Sequence, residues 1–416
     1  MTVQNRVCQK IYAKYFLLLR LCMGFLVNAV AHHRCSSVTS GKPLKNEYQM
    51  MKRLVRNPGK FEALEAYTAF SREHGYKLES PEDTERFLAQ FGESLKASQD
   101  NQTLLHGKRM EACFGQVAAG LGGCRLVKTE DTGDVISDDT DMLLPDYRLV
   151  LKDGRQIFVE VKNSSLPKAS SKYMLRKDYV SKLQRYSEIN GVPMYFAIYY
   201  RCLRVWTLLP ISSFIERERK YETTPVHSLA NSEMTILGDL MIGTKPPLIF
   251  ELVADKTKDA SVEDNQARFI CGDVKMYCGE AEIEDRDEKD IAFYLLRFGK
   301  WDCDEPEGVM DENGKLHSVR YTFNPESQDE DVKRNGFAIF GNLSSMITEA
   351  YNEHTVYEQQ VIAITPKADP SVFSVQIPRD YRGKVLGLHR FSMQANPDFK
   401  EKYADGTMHK LTADKP

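Results

Sequence analysis

Residues 142–162 read MLLPDYRLVLKDGRQIFVEVK, and this stretch decides the fold of the chain. Residues 143–151 are rich in apolar side chains, and residues 157–159 form a β-branched and aromatic run, both typical of strands. Between the two runs lie Lys152, Asp153 and Gly154, a turn signal in which the glycine can take the left-handed conformation. The stretch therefore predicts a β-hairpin.

The length of the hairpin loop decides which side chains meet. A two-residue turn would pair Asp146 with Val161, whereas a three-residue loop over residues 152–154 pairs Asp146 with Glu160. Three-residue loops that end in a left-handed glycine are common, so we predict the second register. Because side chains alternate along a strand, Glu160 and Lys162 project from one face.

This register gathers two carboxylates and an ammonium group. Two carboxylates at close range repel each other, so one should become neutral unless a cation lies between them. A hard divalent cation such as Mg²⁺ suits two carboxylates and water. With Lys162 near a metal-bound water, the cluster indicates metal-assisted hydrolysis, most simply of a phosphodiester. The alternative is a surface hairpin whose charges happen to alternate.

The same residues resemble the signature of a known family, the PD-(D/E)XK nuclease superfamily with its restriction-endonuclease-like fold. They are Pro145, Asp146, Glu160, Val161 and Lys162. The core of that family has a helix, a hairpin, a second helix and a further strand, and residues 104–210 supply this order. The resemblance implies an α/β core in which helices flank a mixed central sheet.

The resemblance also implies roles for individual residues. Asp146 and Glu160 would bind Mg²⁺, or Mn²⁺ in its place, and the backbone carbonyl of Val161 would complete the shell. Lys162 would position or activate the attacking water. An acidic residue on the first helix often assists the metal site, and Glu111 is the matching candidate. The alternative for Glu111 is a carboxylate at the rim, held by Arg109 or Lys108.

Basic residues follow the hairpin. Residues 166–220 hold eleven Lys and Arg against four Asp and Glu, which suits a polyanionic substrate. A helix is predicted over about residues 170–190, with Tyr179 and Tyr186 in its apolar stripe. The family often places a Gln or Lys of this helix near the scissile bond, and the choice between Lys182 and Gln184 stays open. The predicted nucleic-acid contacts are Lys172, Arg176, Lys177, Lys182, Gln184 and Arg185. The alternative is a solvated helix face.

The composition of the chain limits the classes of protein to which it can belong. The chain has 416 residues, 42% hydrophobic and 28% charged, with a formal net charge of −3, which is ordinary for a globular protein of two or three domains. Its nine cysteines form no C-x-x-C pair, which favours reduced thiols in the cytoplasm. The motifs of serine hydrolases and P-loop NTPases are absent from the sequence.

We divide the chain into four segments. Residues 1–49 are an extension, for which we favour a start codon assigned too far upstream, and their apolar run is too short to predict a membrane partner. Residues 50–103 form a helical cap and residues 104–215 the nuclease domain. Residues 216–416 form a C-terminal α+β domain that would recognise the target or bind a partner protein or a second subunit.

The sequence of the C-terminal half predicts further strands and helices. Strands are expected at 249–253, 268–270, 274–277 and 336–341, and helices at 290–298 and 343–353. Residues 359–365 and 371–377 suggest a further strand pair. The aromatic residues Phe373, Tyr381, His389 and Phe391 would either stack on bases or lie in the core.

The leading hypothesis is a metal-dependent nuclease that hydrolyses DNA, with restriction or phage defence as an analogy only. One alternative is a non-catalytic nucleic-acid-binding protein that retains the nuclease fold. Others are a nuclease directed at RNA and a structural or interaction protein. Metal-dependent cleavage separates the first hypothesis from the non-catalytic ones.

Overall fold

The computed structural model describes residues 51–53, 62–131, 133, 135–263, 266–325, 335–366, 370–375 and 377–399. The extension over residues 1–49 lies outside the described residues. All described residues belong to one compact unit. The division into cap, nuclease and C-terminal domains stays a prediction.

Two helices precede the core, α1 (Glu62–His74) and α2 (Pro81–Asp100). Gly75 follows α1 with a positive φ of 69°, and the Ser80 hydroxyl accepts a hydrogen bond from the Asp83 N–H at the start of α2. Ring contacts join the pair, with Phe87 5.1 Å from Tyr67 and 5.4 Å from Phe70. The helical character predicted for residues 50–103 is confirmed over these two helices.

A third helix and a five-stranded sheet form the centre of the molecule. In chain order they are α3 (Gln102–Gly120), β1 (Cys124–Thr129), β2 (Tyr147–Leu151), β3 (Gln156–Ser164), β4 (Tyr173–Arg176), α4 (Lys177–Asn190), β5 (Met194–Tyr200) and β6 (Val205–Pro210). The sheet order is β1-β2-β3-β5-β6. Its pairs are antiparallel except β3 and β5, which run parallel. The predicted mixed sheet is confirmed, and its assignment to the restriction-endonuclease-like fold stays a prediction.

Helices cover both faces of this sheet, and the alternation along β3 decides which residue faces which helix. Phe158 lies in a buried cluster with Val180 and Leu183 of α4. On the other face, α3 packs against β1 and β3. Because even-numbered residues of β3 face α4, Glu160 and Lys162 lie on the α4 side of the sheet.

One expected boundary in this region is wrong. The helix predicted from about residue 170 begins at Lys177, since β4 precedes it and pairs with β8 (Lys220–Thr223), which also pairs with β7 (Ile215–Glu216). Strand β4 has only four residues, of which Leu175 alone is buried, and so short an element has no clear strand signal in the sequence.

In its described residues, the C-terminal half contains two main sheets, two short sheets of two strands each and several helices. Its elements are α5 (Pro225–Ala230), β9 (Met241–Thr244), β10 (Leu248–Ala254), β11 (Ser261–Glu263), β12 (Gln266–Arg268), β13 (Cys271–Cys278), β14 (Ala281–Glu282), α6 (Arg286–Phe298), β15 (Asp302–Cys303), β16 (Glu307–Met310), β17 (Leu316–Asn324), β18 (Ala338–Asn342), α7 (Leu343–Thr355), β19 (Val356–Tyr357), β20 (Gln360–Val361) and β21 (Leu388–Phe391). Short 3₁₀ helices lie at Ile211–Ser213, Met234–Leu237 and Pro370–Phe373. The larger main sheet has the order β14-β13-β10-β17-β15 with β16 beside β17, and the smaller has β18-β9-β21; the two short sheets are β11-β12 and β19-β20.

Most predicted elements of this half are confirmed, and the last strand pair is wrong. Residues 371–377 were expected to be a strand, but Pro370–Phe373 is a 3₁₀ helix. The Phe373 side chain is buried, and its ring lies 5.8 Å from the Tyr351 ring. The apolar residues next to Phe373 in the sequence therefore reflect packing in the core and not the alternation of a strand. Phe373 is therefore a core residue and not a base-stacking one.

Helix α7 joins the C-terminal half to the central sheet. The Trp206 indole N–H of β6 donates to the Thr348 hydroxyl over 2.9 Å, and the Arg109 guanidinium of α3 donates to the Asn352 side chain over 2.6 Å. These contacts are buried or half-buried, so α7 completes the layer that covers one face of the central sheet.

Two further findings concern the described residues. None of their helices is both long enough and apolar enough to cross a membrane. Six cysteines in the described ranges are free thiols: Cys113, Cys124, Cys202, Cys271, Cys278 and Cys303.

Candidate active site at one edge of the central sheet

The β2–β3 hairpin determines which residues come together in the candidate site. Tyr147 pairs with Val159, and the Leu151 N–H donates to the Arg155 carbonyl over 2.8 Å, which leaves a three-residue loop. Gly154 in that loop has a φ of 90°, the left-handed conformation that glycine takes without strain. The predicted register is confirmed, and Asp146 lies opposite Glu160.

Asp146 directly precedes β2, and its carboxylate is held against β3. Its Oδ2 atom accepts a hydrogen bond from the Val161 N–H over 2.7 Å. Burial, followed by the negative charge of Glu160, raises the pKa of Asp146 to about 7, although the bond from Val161 opposes the shift. The expected conflict between two nearby carboxylates is therefore present, and a proton on Asp146 relieves it at neutral pH and below.

Glu160, Lys162 and Tyr179 form a compact hydrogen-bonded group. The Lys162 ammonium donates to Glu160 Oε1 over 2.7 Å and to the Tyr179 hydroxyl over 2.8 Å. The Tyr179 hydroxyl in turn donates to the same Glu160 oxygen. Glu160 is buried, with 6% of its surface exposed. Burial opposes the charge on Lys162, but the charge and hydrogen bond of Glu160 raise the lysine pKa above its usual value.

Sequence reasoning missed Tyr179. It placed this residue in the apolar stripe of the helix, and the structure confirms that the ring packs on the buried cluster that contains Phe158, Val180 and Leu183. The ring centroid also lies 4.8 Å from the Lys162 ammonium. The available signal was chemical: a tyrosine in a buried stripe brings a hydroxyl that needs a polar partner, and Glu160 and Lys162 face this helix.

Glu111 lies on α3 near this group but has another partner. Its side chain forms an ion pair of 2.7 Å with Lys108, one of the two basic residues expected to hold it, whereas Arg109 bonds α7 instead. The Tyr147 hydroxyl donates to the backbone carbonyl of Glu111 over 3.0 Å, which fixes α3 to β2. The charge of Glu111 acts on Asp146 and contributes to its raised pKa, behind burial and Glu160. Within the described ranges, no three His, Cys, Asp or Glu residues are grouped closely enough to hold a metal ion.

The cations predicted to contact nucleic acid are paired with carboxylates. Each partner comes from a neighbouring segment: Lys172 with Glu222, Arg176 with Asp178, Lys177 with Glu216, Lys182 with Asp141, and Arg185 with Asp139. Gln184 is half-buried on α4. A phosphate would have to compete with these carboxylates for the cations. Their role in binding nucleic acid stays a prediction.

Glu130 is a second buried carboxylate near the sheet edge, and its hydrogen-bond partners give it a structural role. Glu130 follows β1 and accepts hydrogen bonds of 2.7 Å from both Arg148 and the Tyr186 hydroxyl. Burial opposes the charge of Glu130, but Tyr186 and Arg148 lower its pKa below the usual range. Tyr186, expected to be core rather than catalytic, stabilises the join between α4 and β1.

Comparison with known proteins gives little further support. No protein-family model matches this chain, and none of the curated proteins matches it. Among solved structures, Hjc, a Holliday junction resolvase from the archaeal hyperthermophile Archaeoglobus fulgidus, is 17% identical over 24% of this chain and 76% of its own length, with a TM-score of 0.19. A likeness at this identity and TM-score assigns no function here, so the proposals below rest on the geometry of the site.

Proposed function

We propose that this chain is a Mg²⁺-dependent nuclease that hydrolyses phosphodiester bonds of DNA. The observation that carries the proposal is the meeting of Asp146, Glu160 and Lys162 at the end of one hairpin. Two carboxylates and an ammonium group beside a basic region are the parts that phosphodiester hydrolysis needs.

The donor set fits a hard cation. The hydrogen bonds described above engage Oδ2 of Asp146 and Oε1 of Glu160, so Oδ1 and Oε2 stay available as ligands. The Val161 carbonyl projects from the same side of β3 as its N–H, which faces Asp146. These oxygens would hold Mg²⁺, with Glu111 joining only after release from Lys108. When bound, Mg²⁺ lowers the pKa of a water ligand and neutralises phosphate charge.

Lys162 would act on the water and the phosphate. Glu160 and Tyr179 hold its ammonium from two sides, which limits the loss of side-chain entropy when a substrate arrives. A cation fixed at this position orients the attacking water and stabilises the negative charge that grows on the phosphoryl oxygens. Glu160 therefore has two roles in the proposal, as a ligand and as the anchor of Lys162.

The raised pKa of Asp146 predicts how metal binding depends on pH. Below about pH 7 a proton occupies the carboxyl group and competes with Mg²⁺. The apparent Mg²⁺ dissociation constant should therefore rise up to about tenfold per pH unit as pH falls from 7 to 5. Mg²⁺ titrations of cleavage rate at several pH values measure this; a constant that does not change with pH would contradict the assignment of Asp146 as a ligand.

A cleavage assay tests the function itself. Plasmid DNA, linear duplex DNA, single-stranded DNA and RNA are incubated with the full chain in Mg²⁺, in Mn²⁺ and in EDTA. Cleavage of DNA is expected in either metal and not in EDTA. Asp146→Ala and Lys162→Ala should each lower the rate by at least about 10²-fold, since each removes a group on the reacting atoms.

The controls separate loss of chemistry from loss of folding. Asp141→Ala removes an exposed carboxylate that pairs with Lys182, and this variant should cleave within about threefold of the parent chain. Cleavage that resists EDTA, or that survives both Asp146→Ala and Lys162→Ala, would overturn the proposal. Cleavage of RNA alone would keep the site and change the substrate.

A further inference from the structure

The turn between β5 and β6 carries cations that differ from those of α4. Arg201 and Arg204 are both exposed, and in the part of the chain that the structure describes no carboxylate lies within ion-pair distance of either. The cations of α4 and β4, by contrast, each pair with an acidic side chain. The turn therefore carries positive charge that no ion pair compensates.

Two other elements bring basic side chains to the same turn. The Lys300 ammonium, from the segment after α6, donates to the Leu203 carbonyl over 3.1 Å. His106 on α3 is half-buried, and the charges of Arg109 and Arg201 act on it. Three segments far apart in the sequence thus contribute to one cluster, which we call the turn cluster: His106, Arg201, Arg204 and Lys300.

Sheet topology places the turn cluster beside the candidate active site. The Arg201 N–H donates to the carbonyl of Ser164, the last residue of β3, and Lys162 lies two residues earlier on that strand. The β5–β6 turn is therefore at the sheet edge where Asp146 precedes β2. Asp146 lies opposite Glu160, which pairs with Phe196, and Arg201 follows Phe196 by five residues. Strand spacing and rise therefore put the turn on the order of 20 Å from Asp146, a span of about six nucleotides of one strand of a duplex.

We propose that the turn cluster of His106, Arg201, Arg204 and Lys300 binds the phosphate backbone of nucleic acid about six nucleotides from the bond that is cut. This inference rests on the proposed function and names the surface that holds its substrate. The cations Arg201, Arg204 and Lys300 repel one another, and a run of phosphates relieves that repulsion and favours a proton on His106. The site of cleavage then follows from the distance between the turn cluster and Asp146.

The electrostatics of the cluster agree with its geometry. Partial burial of the Lys300 ammonium, followed by the charge of Arg204, lowers the lysine pKa, while Glu349 and Asp239 act in the opposite direction. Burial, followed by the charges of Arg109 and Arg201, lowers the pKa of His106. Each shift has the sign expected where cations crowd together, and a bound polyanion would reverse it.

The test compares unpaired with paired cations. Binding of a fluorescein-labelled DNA duplex of about 30 base pairs to the full chain is followed by anisotropy in EDTA, at a series of salt concentrations. The variant Arg201→Gln/Arg204→Gln is matched with Arg155→Gln/Lys275→Gln, which also removes two positive charges, each of them paired with a carboxylate and outside the predicted nucleic-acid contacts. Thermal melts of both variants check folding.

The expected result is specific to phosphate contact. The turn variant should bind about 10- to 100-fold more weakly at moderate salt, and its plot of log affinity against log salt should be shallower by about two, one for each lost contact. Arg201→Lys/Arg204→Lys keeps the charge and should retain most of the affinity. The paired-cation variant Arg155→Gln/Lys275→Gln should lose less than about threefold.

The outcomes distinguish this inference from the function it rests on. If the parent chain cleaves DNA and the turn variant binds as tightly and with the same salt slope, the turn cluster is not the binding surface, while the nuclease stands. Equal losses in both variants would overturn the inference as well. If the parent chain binds DNA through the cluster but cuts nothing, the binding surface holds and the nuclease fails. If it neither binds nor cuts any nucleic acid, both fail.

Discussion

At the scale of single residues, Tyr179 differs from every other residue of the candidate site, because its effect is exerted through its neighbours. Its hydroxyl contacts both Glu160 and Lys162, and its ring lies beside the ammonium. Tyr179→Phe keeps the ring and removes both hydrogen bonds. We expect a rate lower by roughly 10- to 100-fold, as is usual when a group that orients a metal ligand is lost.

The measurement for Tyr179 must separate positioning from folding. Mg²⁺ titration of the cleavage rate should show a higher apparent metal constant for Tyr179→Phe, because Glu160 loses a donor that fixes its orientation. The melting temperature should stay close to that of the parent chain, since the ring is retained. A variant with unchanged metal dependence and unchanged rate would show that the hydroxyl only fills space.

Asp146 supplies a second test at this scale, one that needs no substrate. In the unfolded chain this carboxyl has an ordinary pKa near 4, and in the folded metal-free protein its pKa is raised to about 7. Between these values the folded state binds more protons than the unfolded state, so the free energy of unfolding falls as pH rises from about 4 to 7. Asp146→Asn lacks this dependence and should be more stable than the parent chain by about 1–3 kcal/mol at pH 8 in EDTA.

Denaturant unfolding at pH 4.5 and pH 8 measures the effect. The advantage of Asp146→Asn should be small at the lower pH and largest at the higher one. Added Mg²⁺ should stabilise the parent chain and not the variant, because the ligand is bound only by the folded parent. A variant that is less stable than the parent at pH 8 would contradict the proposed strain between Asp146 and Glu160.

At the scale of elements, the sequence predicted what local chemistry decides. The hairpin register followed from Gly154, since a left-handed glycine at the end of a three-residue loop fixes the pairing. The face shared by Glu160 and Lys162 followed from alternation along β3. Strand β1 was not predicted, because its burial pattern mixes exposed and buried residues and it lies at the edge of the sheet.

Contacts between elements were the part that the sequence could not supply. The basic residues of α4 look free in the sequence, and their partners Glu216, Asp139 and Asp141 lie on other segments. Each pairing depends on how strands and loops pack, and no spacing along the chain encodes it. The same limit explains why the unpaired cations of the β5–β6 turn stood out only in the structure.

Helix α7 offers an element-scale prediction, because Thr348 links it to β6. Its buried hydroxyl accepts from the Trp206 indole N–H and donates to the Ser344 carbonyl over 2.8 Å. Thr348→Val has a similar shape but leaves the indole N–H without its acceptor. We expect a loss of about 1–3 kcal/mol in the free energy of unfolding.

The matched variant is Thr348→Ser, which keeps the hydroxyl and removes a methyl group. It should cost about 0.5–1.5 kcal/mol, as small deletions in cores do. The valine variant should therefore be the less stable of the two in denaturant unfolding, although valine is the more hydrophobic residue. The opposite order would show that the hydroxyl contributes nothing to the join between α7 and the central sheet.

At the scale of the whole molecule, the C-terminal half approaches the central core too closely to be a simple attachment. The Gly123 N–H donates to the Leu237 carbonyl over 2.9 Å, and a Cβ at Gly123 would lie 2.3 Å from that carbonyl. The next contact is at Gly120, where a Cβ would lie 2.6 Å from the Phe373 carbonyl. The glycines that end α3 in the sequence therefore also allow backbone from the C-terminal half to pack on that end.

This packing predicts how the chain responds to truncation. A fragment of residues 62–215 would keep α3 and the central sheet but lose α7 and the 3₁₀ helix at Pro370–Phe373. It would expose the side of α3 that carries Cys113, which contacts Thr348 of α7, and Gly120, which packs on Ile347 and Phe373. An apolar face of this kind associates with other copies in water, so the fragment should aggregate or lack a cooperative melt.

Near-ultraviolet circular dichroism and thermal melts of the fragment, compared with those of the full chain, measure this. A fragment that melts sharply and cleaves DNA at the parent rate would show instead that the predicted nuclease domain folds alone, and that the C-terminal half serves recognition without supporting the site.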